Sequence, residues 1–109
     1  MENLGTLKLD PSSTERSCNG EQMCFLSKSQ VGVAGNLFTL EYNNQKYNFK
    51  IIDIWHAPKD FAKKFSWKMC GLSSPEELNT ALDKVDGNMI YIHIFYPQPW
   101  DKIKDLVIS

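Results

Sequence analysis

The stretch from Asn36 to Trp55 constrains this chain more than any other. Residues 36–42 (NLFTLEY) alternate, with Phe38, Leu40 and Tyr42 on one face and Thr39 and Glu41 on the other. A period of two marks a half-buried β-strand, because successive side chains point to opposite faces. NNQ follows, and asparagine tolerates the left-handed backbone that tight hairpin turns need. The chain then returns as KYNFKIIDIW, with Tyr47, Phe49 and Ile51 on one side. Past Ile51 the alternation shifts, and Ile52 and Ile54 become the apolar pair. Two readings account for the shift: both faces are covered there, or a β-bulge re-aims the strand. Trp55 and His56 follow at once, and Pro58 is expected to close the strand.

Two helical segments are expected next. PKDFAKKFSWKM places Phe61, Ala62, Phe65 and Met69 at helical spacing. SSPEELNTALDKV carries a fuller start signal: Ser74 as cap, Pro75 in the first helical position and Glu77 completing a capping box. Leu78, Ala81 and Leu82 supply its buried stripe. The capping role is preferred for Glu76 and Glu77 over a catalytic one. DGN turns the chain into MIYIHIFY, with Ile90, Ile92 and Ile94 on one face and Met89, Tyr91, His93 and Phe95 on the other. Both faces of that strand are therefore expected to be covered, and Pro97 and Pro99 end it. The first thirty residues carry weaker signals: GTLKL and EQMCFLS read as short strands and DPSSTERSCNGEQ as polar turn. DKIKDLVIS reads as a last short helix or edge strand.

These elements belong to one α+β domain over residues 1–109, mostly antiparallel, either a small partly closed barrel or a sheet with inserted helices. At 109 residues, 42% hydrophobic and 23% charged, the chain has the composition of a globular protein with a single core. No apolar run has the length of a membrane-spanning helix and no signal peptide is evident, so a cytoplasmic protein without a membrane partner is expected. Cys18, Cys24 and Cys70 lack the paired spacing of a zinc site, even with His56 and His93 added. They read as reduced, mostly buried thiols, with no metal and no cofactor. A net charge of −1 excludes a general electrostatic attraction to duplex DNA but leaves room for a local basic groove. Lys59, Lys63, Lys64 and Lys68 form one cluster, and Lys102 and Lys104 another; solvated faces are the preferred reading of both.

Four segments in order resemble the ASCH domains, a branch of the PUA-like β-barrel superfamily. GNLFTLEY is similar to the strand after that family's Gly-Asp turn, and FKIIDIWHAP to its central strand. GLSSPEEL resembles its G-F-x-S-x-E-E-L helix start, and IYIHIFY its closing Y-V-H-x-F strand. The resemblance covers residues 31–97 and implies a small PUA-like β-barrel with short flanking helices. The departures lie at the site. The family's G-x-K-x-x-T-x-R strand has its nearest match in KLDPSSTER, where Lys8 is set three residues further from Thr14 and Arg16. Asn36 stands where the family has Asp. The Glu that members hydrolysing acetylated cytidine carry before the second helix is replaced here by Cys70 and Gly71.

The resemblance implies a cleft between barrel and helices that holds RNA or a modified base. Arg16, Lys59 and Lys68 are candidates for phosphate contacts, and Tyr47, Trp55 and Trp67 for stacking. His56 is placed at the rim, with hydrogen-bonded packing as the plainer reading. An RNA- or nucleotide-binding module is the first functional expectation. The alternative is an amidohydrolase, with Lys8 as base, Thr14 as nucleophile and Arg16 stabilising charge. A third reading makes YPQPWDKIKDLVIS a docking segment for a protein partner.

Overall fold

The computed structural model describes residues 3–98. In chain order these form β1 (Asn3–Thr6), α1 (Pro11–Cys18), β2 (Cys24–Ser27), β3 (Leu37–Tyr42) and β4 (Gln45–Pro58). Then come α2 (Lys59–Phe65), α3 (Pro75–Asp83) and β5 (Met89–Pro97). One five-stranded sheet has the order β1-β3-β4-β5-β2. β1 runs parallel to β3, and all other neighbours are antiparallel. The mixed α+β architecture expected from the sequence is present. The sheet does not close into a barrel: β1 and β2 are its two edges. Both are four-residue strands, and α1 lies between them in the chain.

The hairpin forms as the alternation predicts. Phe38 pairs with Phe49, Leu40 with Tyr47 and Tyr42 with Gln45. Asn43 and Asn44 take φ of 53° and 63°, the two left-handed positions of a type I′ turn. The shift after Ile51 is a bulge. Ile51 pairs with Phe95 while Asp53, two residues on, pairs with Ile94, leaving Ile52 unmatched and exposed. Trp55 and His56 do not end the strand, which continues in register through Pro58 opposite Met89.

The bulge sorts side chains into two cores. Before it, Phe49 and Ile51 join Phe25, Phe38, Leu40 and Phe95 on one face, and after it Ile54 packs on that same face. Ala57 falls on the other, with Ile90, Ile92, Ile94, Cys24, Ala62, Leu78 and Leu82. α2 and α3 cover this second core. In the first, Phe38 meets Phe95 edge-on at 5.3 Å between centroids and stacks against Phe49 at 5.3 Å.

α1 is the element that the polar composition of DPSSTERSC concealed. Asp10 caps it by accepting from the Ser13 N–H at 3.3 Å, and Pro11 takes the first position. Its other end is a Schellman motif: Gly20 N–H donates to Ser17 O, and Glu21 N–H to Arg16 O at 2.8 Å, with Gly20 at φ 80°. α3 begins at Pro75 as expected, but the Ser74 side chain makes no cap bond and the capping box does not form. Ala81, assigned to the buried stripe, is exposed, while Leu78 and Leu82 are buried. α2 stops at Phe65 and leaves Met69 in the following turn, with Ala62 buried. The Phe65 side chain and the DKIKDLVIS segment lie outside the described residues.

Phe38→Ala is expected to cost about 3–5 kcal/mol, because it empties the centre of the aromatic core. Ile52→Thr, on the unpaired bulge residue, is expected to stay within about 0.5 kcal/mol of the parent. Urea denaturation of both variants measures the contrast.

Candidate functional site

A cleft of about 620 Å³ opens at the β2 edge of the sheet. Leu7 to Asp10, the connection out of β1, form one side with Ser13 and Arg16 of α1. Phe25, Leu26 and Ser27 of β2 and the turn residue Val31 form another. Cys70 and Leu72, with Glu77, Leu78, Ala81 and Lys84 of α3, complete it. The lining mixes apolar side chains with Lys8, Arg16 and Lys84 as cations and Asp10 and Glu77 as carboxylates.

Arg16 is the structural joint of this cleft. Its Nε donates to Gln22 Oε1 at 3.0 Å and to the Cys70 carbonyl at 3.1 Å, and Nη2 donates to Ser13 Oγ at 3.3 Å. Gln22 is buried and in turn donates through Nε2 to the Cys24 carbonyl at 2.8 Å. One guanidinium thus ties α1, the start of β2 and the α2–α3 connection together. Gly71 makes the approach possible. It has φ 73°, and a Cβ there would lie 2.7 Å from Glu21 O and 2.9 Å from Arg16 Cδ. The glycine at this position leaves the space that Arg16 fills.

Asp10 is also drawn to this corner. Burial works against its ionised form, but hydrogen bonds from Ser13 and the charge of Arg16 hold its carboxyl below the ordinary value. At the back of the cleft, Phe25 stacks on the buried His93 at 4.3 Å between centroids. His93 Nε2 accepts from the Val31 N–H at 2.8 Å, and Nδ1 faces the Phe25 carbonyl at 3.4 Å. That arrangement suits the neutral imidazole protonated at Nδ1. Burial holds the imidazole below its ordinary value, opposed by the Phe25 carbonyl.

Of the residues singled out in the sequence, Lys8 and Arg16 line the cleft. Thr14 lies on α1 with its hydroxyl donating to Leu9 O at 3.4 Å, and does not line it. The others stand elsewhere. Tyr47 borders a second, smaller cavity near Ser17 and Pro97, and its hydroxyl donates to Gln45 Oε1 at 2.9 Å. Trp55 and His56 point to opposite faces of the sheet. Trp55, 39% exposed, donates from its indole to Asp53 Oδ2 at 2.7 Å and meets Phe61 edge-on. His56 stacks on Tyr91 at 4.1 Å. Lys59 donates to the Val85 carbonyl. Trp67 packs on the helical core with Lys68 Nζ 5.4 Å from its ring centre. Asp10, Gln22 and Lys84 are cleft residues that the sequence did not single out, and Glu77 was read there as a cap. Glu77 was hidden by its capping-box spacing, and Gln22 by the unremarkable turn it occupies.

No protein-family profile matches the chain, and no curated protein matches its sequence. Solved structures do. The Y47F mutant of ZmASCH from Zymomonas mobilis superposes with a TM-score of 0.64 at 7% identity, over 93% of this chain and 78% of that one. Hypothetical protein PH0355 gives a TM-score of 0.60 at 15% identity, over 89% of this chain and 99% of that one. Protein EF3133 from Enterococcus faecalis V583, of the DUF984 family, gives 0.57 at 12% identity, over 90% and 81% of the two chains. The chain has an ASCH-like fold. At these identities the likeness is one of backbone. No described helix is long and apolar enough to cross a membrane.

The lowered His93 value sets a pH dependence. The unfolded chain binds a proton near pH 6.5, whereas the folded chain resists it to lower pH. The His93 contribution is therefore complete above about pH 6.5 and falls as pH drops from there toward the folded-state value. Urea midpoints measured from pH 7.5 to 5 are expected to decline, and His93→Gln is expected to be less stable at pH 7.5 with a flatter profile.

Proposed function

We propose that this cleft binds single-stranded RNA or a nucleotide-like ligand. The observation that carries the reading is that Lys8, Arg16 and Lys84 line one cleft of about 620 Å³ together with apolar side chains. That volume is in the range of small-ligand sites, about 300–1,000 Å³. Of the five N–H donors of Arg16, two are engaged, and the rest have no partner among the described residues. Anionic phosphate suits those donors and the two lysines. Asp10 and Glu77 are acceptors for the exocyclic amino group of a base such as cytosine. The ASCH-like fold supports the reading, since the resemblance to PUA-like domains implies a ligand in such a cleft. Trp55, Trp67, Tyr47, His56, Lys59 and Lys68 lie outside it and are assigned no contact with this ligand.

The test is titration of short single-stranded RNA at several salt concentrations. Lys8→Glu with Lys84→Glu is expected to weaken binding at least about 10-fold and to reduce the salt slope by about 1–1.5. Binding unaffected by the double substitution, or no binding at low salt, overturns the proposal.

A hydrolytic reading has one observation in its favour: Lys8 and Glu77 line the same cleft. Turnover of an acetylated cytidine that disappears in both Lys8→Ala and Glu77→Gln is the result this reading requires. The docking segment of the third reading lies mostly outside the described residues.

A further inference from the structure

Cys24 and Cys70 are 46 positions apart in the chain, yet their Sγ atoms lie 3.1 Å from each other. Both are free thiols. Their backbones are held in place independently of the sulfurs. The Met23 N–H donates to Met69 O at 2.7 Å, immediately before each cysteine. Arg16 holds the Cys70 carbonyl at 3.1 Å, and Gln22 holds the Cys24 carbonyl at 2.8 Å. The two sulfurs differ in access. Cys70 lines the cleft and retains 6% of its surface, whereas Cys24 is fully buried behind it. The third cysteine, Cys18, packs against the opposite core and has no place in this pair.

We propose that Cys24 and Cys70 form a reversible dithiol–disulfide site, oxidised by a peroxide that enters through the cleft and reacts first at Cys70. The Cys70 thiolate attacks one peroxide oxygen and the O–O bond breaks. One oxygen stays on Sγ as a sulfenic acid, and the other leaves as hydroxide and becomes water with the thiol proton. Cys24 then attacks the Cys70 sulfur, the S–S bond forms, and the S–O bond breaks to release a second water that carries the Cys24 proton. Two thiols are oxidised and one peroxide is reduced to two waters.

The electrostatics favour this order. The Cys70 thiol is lowered by its contact with Cys24 and, against the effect of burial, by the charge of Arg16. Cys24 is pushed up by the same contact and by burial, so it keeps its proton and serves as the resolving thiol. The disulfide would join the β2 edge to the α2–α3 connection, the two segments that Arg16 already holds together. It does so whatever ligand the cleft takes.

The experiment treats the reduced full chain with a slight excess of hydrogen peroxide and maps the cysteines by mass spectrometry of a non-reducing digest. A Cys24–Cys70 crosslink with Cys18 still free is expected, together with a thermal midpoint raised by about 10 °C or more and restored by dithiothreitol. Cys18→Ser is expected to form the same link. In Cys24→Ala a sulfenic acid trapped by dimedone is expected on Cys70. Retention of both thiols, prior oxidation of Cys18, or a link that forms only in denaturant overturns the proposal; the wild-type map stands whether or not the variants fold.

Discussion

β5 is buried on both faces, and the rest of the molecule is arranged around that fact. Its alternation sends Ile90, Ile92 and Ile94 into one core and His93 and Phe95 into the other. Each neighbour must present apolar atoms to both sides at once. β2 does so with Cys24 and Leu26 on the helical side and Phe25 on the aromatic side, in register with Ile94, Ile92 and His93. β4 is the longest strand, and the bulge at Ile52 exchanges which of its residues face each core. An unbulged β4 would turn Ile54 away from the core that Ile51 enters.

The cleft follows from where the sheet stops. Two short edge strands leave a corner that side-chain hydrogen bonds close together with the Met23–Met69 backbone bond. Arg16 does this through two carbonyl-type oxygens, with the glycine at 71 giving it room. The same closure brings Cys24 and Cys70 together and aligns Lys8 and Lys84 with one opening. Structural and candidate functional roles therefore meet in one residue.

Local signals read well where periodicity and turn chemistry agreed. The Asn43–Asn44 hairpin, the break in alternation at Ile51 and the doubly covered strand were all legible, because each rests on near-neighbour geometry, although the coverage spans 90–95 and leaves Met89 exposed. α1 was legible too in principle: Asp10-Pro11 is a cap and first-turn pair like Ser74-Pro75, but its polar residues carry no buried stripe. The Ser74-Glu77 box failed for the converse reason. Its spacing is right, yet Glu77 instead reaches the cleft. The Trp55-His56 pair looked like one site because the residues adjoin; in a pleated strand adjoining side chains diverge.

The sequence by itself determined the hairpin and its asparagine turn, the break in alternation after Ile51 and the helical character of the segments after Pro58 and Ser74, since these depend on residues within a few positions of one another. Only the tertiary structure decided that the sheet stays open, that Arg16 meets Cys70 and that two cysteines share one corner. Those contacts join segments about fifty positions apart, and no local spacing encodes which edge of a sheet a helix will cross. The chemistry of this protein's cleft is written in such distant pairs.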